Sequence, residues 1–144
     1  MPTSFAQNTG SESVAVGVAA AGALTANTAV YNALTSDSPT LTAAQVVNGI
    51  VKISGQTGAQ TVTTPSATDI CALLPNLQVG SAFDFTLINA NTSSGAATIT
   101  AGAGVTVTQV PASVAIAKTQ TFKGIVTNAT TPTVTLYGLM TVGA

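Results

Sequence analysis

The sequence predicts an all-β fold, a β-sandwich or jelly-roll-like barrel with one short helix and an N-terminal arm. Three observations carry that expectation. The alphabet is dominated by Thr, Ala, Val and Gly, and the β-branched Thr and Val favour a pleated, half-buried surface. Several short segments alternate apolar and polar residues with period two. Clusters of Gly, Asn, Ser and Thr separate those segments about every ten residues, with little helical periodicity between them.

Residues 1–40 read differently from the rest. They are Ala- and Gly-rich, with one alternating run at Val14, Val16 and Val18. The intervening Ala15 and Gly17 are small enough for another backbone to approach closely. This segment reads as an arm, or as an extra strand or short helix given to the domain. The run Val14-Ala15-Val16-Gly17-Val18 suits pairing with a foreign strand edge and is the candidate partner interface. Ser36-Asp37-Ser38-Pro39 gathers turn formers and marks the boundary, with a β-sandwich module over residues 41–144.

Within that module, Val46 to Ile53 and Ala59 to Thr63 are the first candidate strands. Pro65 to Leu74 then spaces Ile70, Leu73 and Leu74 as the apolar face of a short helix. Ser66 is placed to cap it, with Asp69 three residues on, and Pro75 stops it. In Phe83-Asp84-Phe85-Thr86-Leu87 both Phe and Leu87 share a face opposite Asp84 and Thr86. Ala97 and Ile99 oppose Thr98 and Thr100; Val105 and Val107 oppose Thr106 and Thr108. Ser113 to Ile116 and Gln120 to Thr127 follow, and Val134 and Leu136 oppose Thr133, Thr135 and Tyr137. Phe83, Phe85, Leu87, Ile99, Val105 and Val107 are the expected common core.

The chemistry is sparse. Among 144 residues there are 3 Lys, no Arg, 4 acids and no His, against the roughly one-quarter charged content of an ordinary soluble domain. Without His there is no Ser-His or Cys-His nucleophile pair. The acids Glu12, Asp37, Asp69 and Asp84 are scattered rather than gathered into a calcium loop. Cys71 has no second Cys with which to bridge and no His for a zinc site, and it reads as a small buried hydrophobe. The Gly-containing turns lack a phosphate-loop ending. No enzyme activity, cofactor, metal or catalytic residue is expected.

A net charge of -1 supplies no field for nucleic acid. The most apolar stretch, Val14 to Leu34, is broken by Thr25, Asn27, Thr28 and Asn32, which argues against a membrane span. No basic segment precedes Val14, so no secretory signal is expected. A chain that has given up the charged surface of a dispersed monomer is expected to live against other subunits.

The stretch Leu73-Leu74-Pro75-Asn76-Leu77-Gln78-Val79-Gly80-Ser81-Ala82-Phe83-Asp84-Phe85 is distinctive. With Ile88-Asn89, Ala97-Thr98-Ile99-Thr100, Gly104-Val105-Thr106 and the closing Leu136-Tyr137, it resembles small virion proteins of tailed bacteriophages, of the capsid decoration (cement) or head-fibre type. The resemblance spans about residues 41–140; the chain departs from it in carrying Lys118 and Lys123 instead of an Arg-rich ending. It implies an all-β, homotrimeric module on the outer surface of a capsid, assembled in the bacterial host cytoplasm. Its partners would then be the major capsid protein and its own copies. The alternative is a head-fibre or tail-spike module that binds a host-surface glycan.

Overall fold

The computed structural model describes residues 31–93, 95–108 and 113–139. Among these residues the chain is mostly β. The elements run β1 (Tyr31–Leu34), α1 (Ala43–Val46), β2 (Ile50–Ile53), β3 (Gln60–Thr63), α2 (Ala67–Cys71), β4 (Ala82–Asn89), β5 (Ala97–Thr100), β6 (Val105–Thr108), β7 (Ser113–Val114), β8 (Lys118–Asn128) and β9 (Thr133–Leu139). They form a six-stranded sheet of order β1-β2-β4-β8-β9-β6 and a three-stranded sheet of order β3-β5-β7.

From β2 to β8 the chain alternates between the two sheets, strand by strand. Returning to a sheet after a visit to the other lets a strand run in the direction of its predecessor. Accordingly β2 pairs with β4, and β3 with β5, in parallel. The β1–β2 and β6–β9 pairs are parallel as well, while β4–β8, β5–β7 and β8–β9 are antiparallel. The β8–β9 hairpin closes through Asn128, whose Oδ1 accepts the N–H groups of Thr130 and Thr131, the Asx arrangement that tightens a turn.

The period-two alternation has a direct structural reading: β2, β4, β8 and β9 each bury one face. Val51 and Ile53 of β2, Phe83, Phe85 and Leu87 of β4, Phe122 and Val126 of β8, and Val134 and Leu136 of β9 share one cluster with Val62, Ala97, Ile99 and Val114 of the smaller sheet. The Phe85 and Phe122 rings stack with centroids 5.1 Å apart. Phe83 lies opposite Gly124 in register, filling the space a side chain there would occupy.

Five sequence expectations are corrected. Val46 to Ile53 is not one strand. Val46 closes α1, and β2 starts at Ile50 after Asn48 at φ 61°. Gln45 Oε1 accepts the Thr42 N–H at 2.7 Å, and Gly49 passes too close to the Gln45 carbonyl for any Cβ. That capped turn outweighs the strand propensity of the valines. The helix over Pro65 to Leu74 is regular only from Ala67 to Cys71. Ser66 caps it as expected, accepting the Asp69 N–H at 3.1 Å, and its hydroxyl donates to the Asp69 carboxylate at 2.6 Å. Leu73, two residues past the helical end, is 49% exposed instead of sharing the face of Ile70; Leu74 is partly buried against the core. Val107 is only partly buried, because β6 is an edge strand with one neighbour. The strand expected to reach Ile116 ends at Val114, where a turn with Ala117 at φ 58° reverses the chain. The strand expected over Gln120 to Thr127 extends to Lys118–Asn128.

Of the segment read as arm or extra strand, Tyr31–Leu34 forms the edge strand β1. Beyond it, the Asp37 and Pro39 carbonyls accept the N–H groups of Thr61 and Thr63, and Leu41 N–H donates back to Thr63. Residues 31–41 thus lie along an edge of both sheets in turn.

Candidate interaction surface

The face of the large sheet turned away from the core crosses six strands. Register places its side chains in rows. One row runs Tyr31, Ile50, Thr86, Thr121, Leu139 across five strands. The next runs Ala33, Lys52, Ile88, Thr119. On the other side lie Asp84, Lys123, Tyr137, Thr108, and then Ala82, Ile125, Thr135, Thr106. Tyr31 is 58% and Leu139 42% exposed; Ile50, Ile88, Ile125 and Tyr137 are half-buried.

This face is almost without net charge. Lys123 Nζ sits 3.0 Å from Asp84 Oδ1 and donates to Oδ2 at 3.2 Å across the β4–β8 pair. Both side chains are about half exposed, so the pair is worth only a few tenths of a kcal/mol, up to ~1. The Thr86 and Thr121 hydroxyls are bonded to each other at 3.2 Å. Lys52 makes no ion pair among the described residues. Half-exposed Ile, Thr and Tyr on this sheet face form a surface whose covering removes apolar area from water with little desolvation of charge.

A second feature is a buried amide cluster at the end of β2 and β4. Asn91 Oδ1 accepts the Gln56 N–H at 3.1 Å, and its Nδ2 donates to Gln60 Oε1 at 3.1 Å and to Asn89 Oδ1 at 2.9 Å. Asn89 Nδ2 in turn donates to the carbonyls of Gly95 and Val114. Gln56 Nε2 donates to the Leu34 and Ser36 carbonyls, which fastens the end of β1. All four residues are buried. The cluster therefore sets loop positions rather than meeting a ligand. Nothing in the local sequence marks it, because Asn91 meets Gln56 and Gln60 across long separations.

The remaining places hold little chemistry. An open cleft of about 470 Å³ runs between Thr40–Ala43, Thr64–Ser66 and Gly102–Ala103, with Asp69 at its wall. Asp69 is engaged with Ser66 as helix cap. Among the described residues no three His, Cys, Asp or Glu side chains gather where a metal could bind, and no helix is long and apolar enough to cross a membrane. Cys71 is buried and free, and burial holds its thiol above the ordinary pKa. The predicted partner residues Val14, Ala15, Val16, Gly17 and Val18 lie outside the described residues. Lys118 is exposed, whereas Lys52 and Lys123 are half-buried on the outer sheet face. Comparison with family models, with curated proteins and with solved structures returned no match.

Proposed function

We propose that this chain is a structural virion component, a capsid decoration protein that binds the assembled shell of a tailed phage and stabilises it. The observation that carries the reading is the broad outer sheet face, with Ile50, Ile88, Ile125, Tyr31, Tyr137 and Leu139 on it and one ion pair among them. On this reading the two sheets form a β-sandwich whose outer surface is built to be covered. The chain assembles as a homotrimer seated on the major capsid protein, and residues 14–18 add a strand to a capsid subunit. No bond is made or broken. A protein that binds the closed shell and not its dissociated subunits stabilises the shell by mass action. Repetition by symmetry multiplies modest contacts.

Addition back to shells stripped of this protein tests the reading. Saturable binding at a fixed number of copies per shell, with a raised shell melting temperature, is the expected result. Absence of binding at micromolar concentration refutes it, as does a stable monomer in light scattering for the trimer. The exposed Tyr31 ring at the sheet edge is the one observation favouring a glycan-binding fibre module, since carbohydrate rings stack on open aromatic faces. A glycan array that binds the full chain, and loses binding in Tyr31→Ala, would decide for that second reading.

A further inference from the structure

The outer face of the large sheet is uncovered by any described element, yet the chain that precedes it is suited to cover it. We propose that residues 14–24 of the same chain lie across this face in the free protein. Four observations lead there. Residue 30 joins Tyr31, which stands on this face at the outermost strand, so the preceding segment is delivered to its border. Its reach is sufficient: residues 25–30 allow up to about 20 Å for the turn back. Six strands at ~4.8 Å spacing make the face about 24 Å wide. Eleven residues cover about 36 Å if extended and about 16 Å if helical, which spans three strands or more in either form.

The chemistry matches too. Residues 14–24 read Val-Ala-Val-Gly-Val-Ala-Ala-Ala-Gly-Ala-Leu, with no polar side chain, and they would meet Ile50, Ile88 and Ile125. Charge selects this occupant over a second copy. Glu12 is the one charged side chain in residues 1–30, and Lys52 is the cation of this face without an ion pair among the described residues. A second copy of the face would bring another Lys52, whereas the tethered segment brings a carboxylate. Tethering adds an effective concentration on the order of millimolar, which a separate molecule at micromolar does not match. On the function proposed above, a docked arm reaches a shell only after leaving the face. Shell affinity is then lowered by the undocked fraction.

Photo-crosslinking of the full chain tests the placement without shells, so its outcome is independent of shell binding. Benzoylphenylalanine replaces Val16, and in a second variant Ala20. Each is irradiated in a mixture of light and isotopically heavy protein. The expected adducts fall on Ile50, Lys52, Ile88 or Ile125, and join light to light and heavy to heavy only. Ile88→Lys, an outward substitution, should cut their yield at least fivefold while the far-ultraviolet spectrum stays unchanged. Adducts between light and heavy chains would make a second copy the occupant and overturn the proposal. Adducts confined to the smaller sheet, or none from either position, would overturn it as well.

Discussion

Gly124→Ala is a one-methyl change whose cost follows from the position of one ring. Gly124 faces inward on β8, opposite Phe83 of β4. A Cβ built there lies 2.5 Å from Cε1 and from Cε2 of Phe83 and closer still to Cζ. Ordinary carbon contacts need at least about 3.5 Å, so the ring must move by roughly an ångström or more. Phe83 is 2% exposed and a close-packed interior offers it no free volume. Overpacking of this kind costs about 1–3 kcal/mol, and replacing Gly by Ala within a strand returns roughly 0.5–1 kcal/mol of backbone entropy. The net expectation is a loss of about 1–2 kcal/mol. Urea unfolding should show a lower midpoint at unchanged slope. The second half of the test is a double-mutant cycle. Phe83→Leu removes the clash, so it should cost at least about 1 kcal/mol less in the Gly124→Ala background than in the natural chain. A neutral or stabilising Gly124→Ala, with strictly additive Phe83→Leu, would mean the ring does not lie over Gly124.

Phe85, 1% exposed and stacked on Phe122, should lose about 3–5 kcal/mol on conversion to Ala. Thr106→Ala, on the outward face of the edge strand β6, should stay within about 0.5 kcal/mol, and equal effects would refute the strand parity. Asn91→Ala strips partners from the Gln56 N–H and the Gln60 side-chain oxygen, while Asn89 Oδ1 keeps the residue-91 backbone N–H. At about 1–3 kcal/mol per buried unsatisfied group the loss should exceed about 2 kcal/mol in thermal or urea unfolding. A loss under about 0.5 kcal/mol would show the cluster to be wet. The raised thiol pKa of Cys71 comes from burial. The unfolded thiol releases its proton around pH 9.0 while the folded one keeps it. The stabilisation is therefore complete below pH 9.0 and declines as pH rises past it. Cys71→Val should flatten that decline in urea midpoints measured from pH 7 to 10, and an unchanged slope would remove the assignment.

Local pattern made the β-rich character legible. Strand parity in Phe83–Leu87, Ala97–Thr100 and Thr133–Tyr137 could be read directly, because a sheet with one buried face imposes period two on any sequence that forms it. The Ser66–Asp69 cap was legible for the same reason: the partners are three residues apart, and hydrogen bonds over that range need no tertiary information. The burial of Cys71 could be read from its apolar neighbours. What failed at Val46–Ile53 was a contest between propensity and a local turn. The turn prevailed through the Gln45 carboxamide and the Gly49 close approach, both set by backbone geometry that residue type alone does not reveal. The alternation of the chain between sheets, and hence the parallel pairs, depends on which strands meet over long separations. The cluster of Gln56, Gln60, Asn89 and Asn91 depends on the same thing, since its bonds cross more than 30 residues from Asn91 to Gln56 and Gln60. Composition alone showed that the chain carries few charges. Which residues share its broad outward face was decided only by register, because a row such as Tyr31, Ile50, Thr86, Thr121 and Leu139 exists only once five strands are laid side by side.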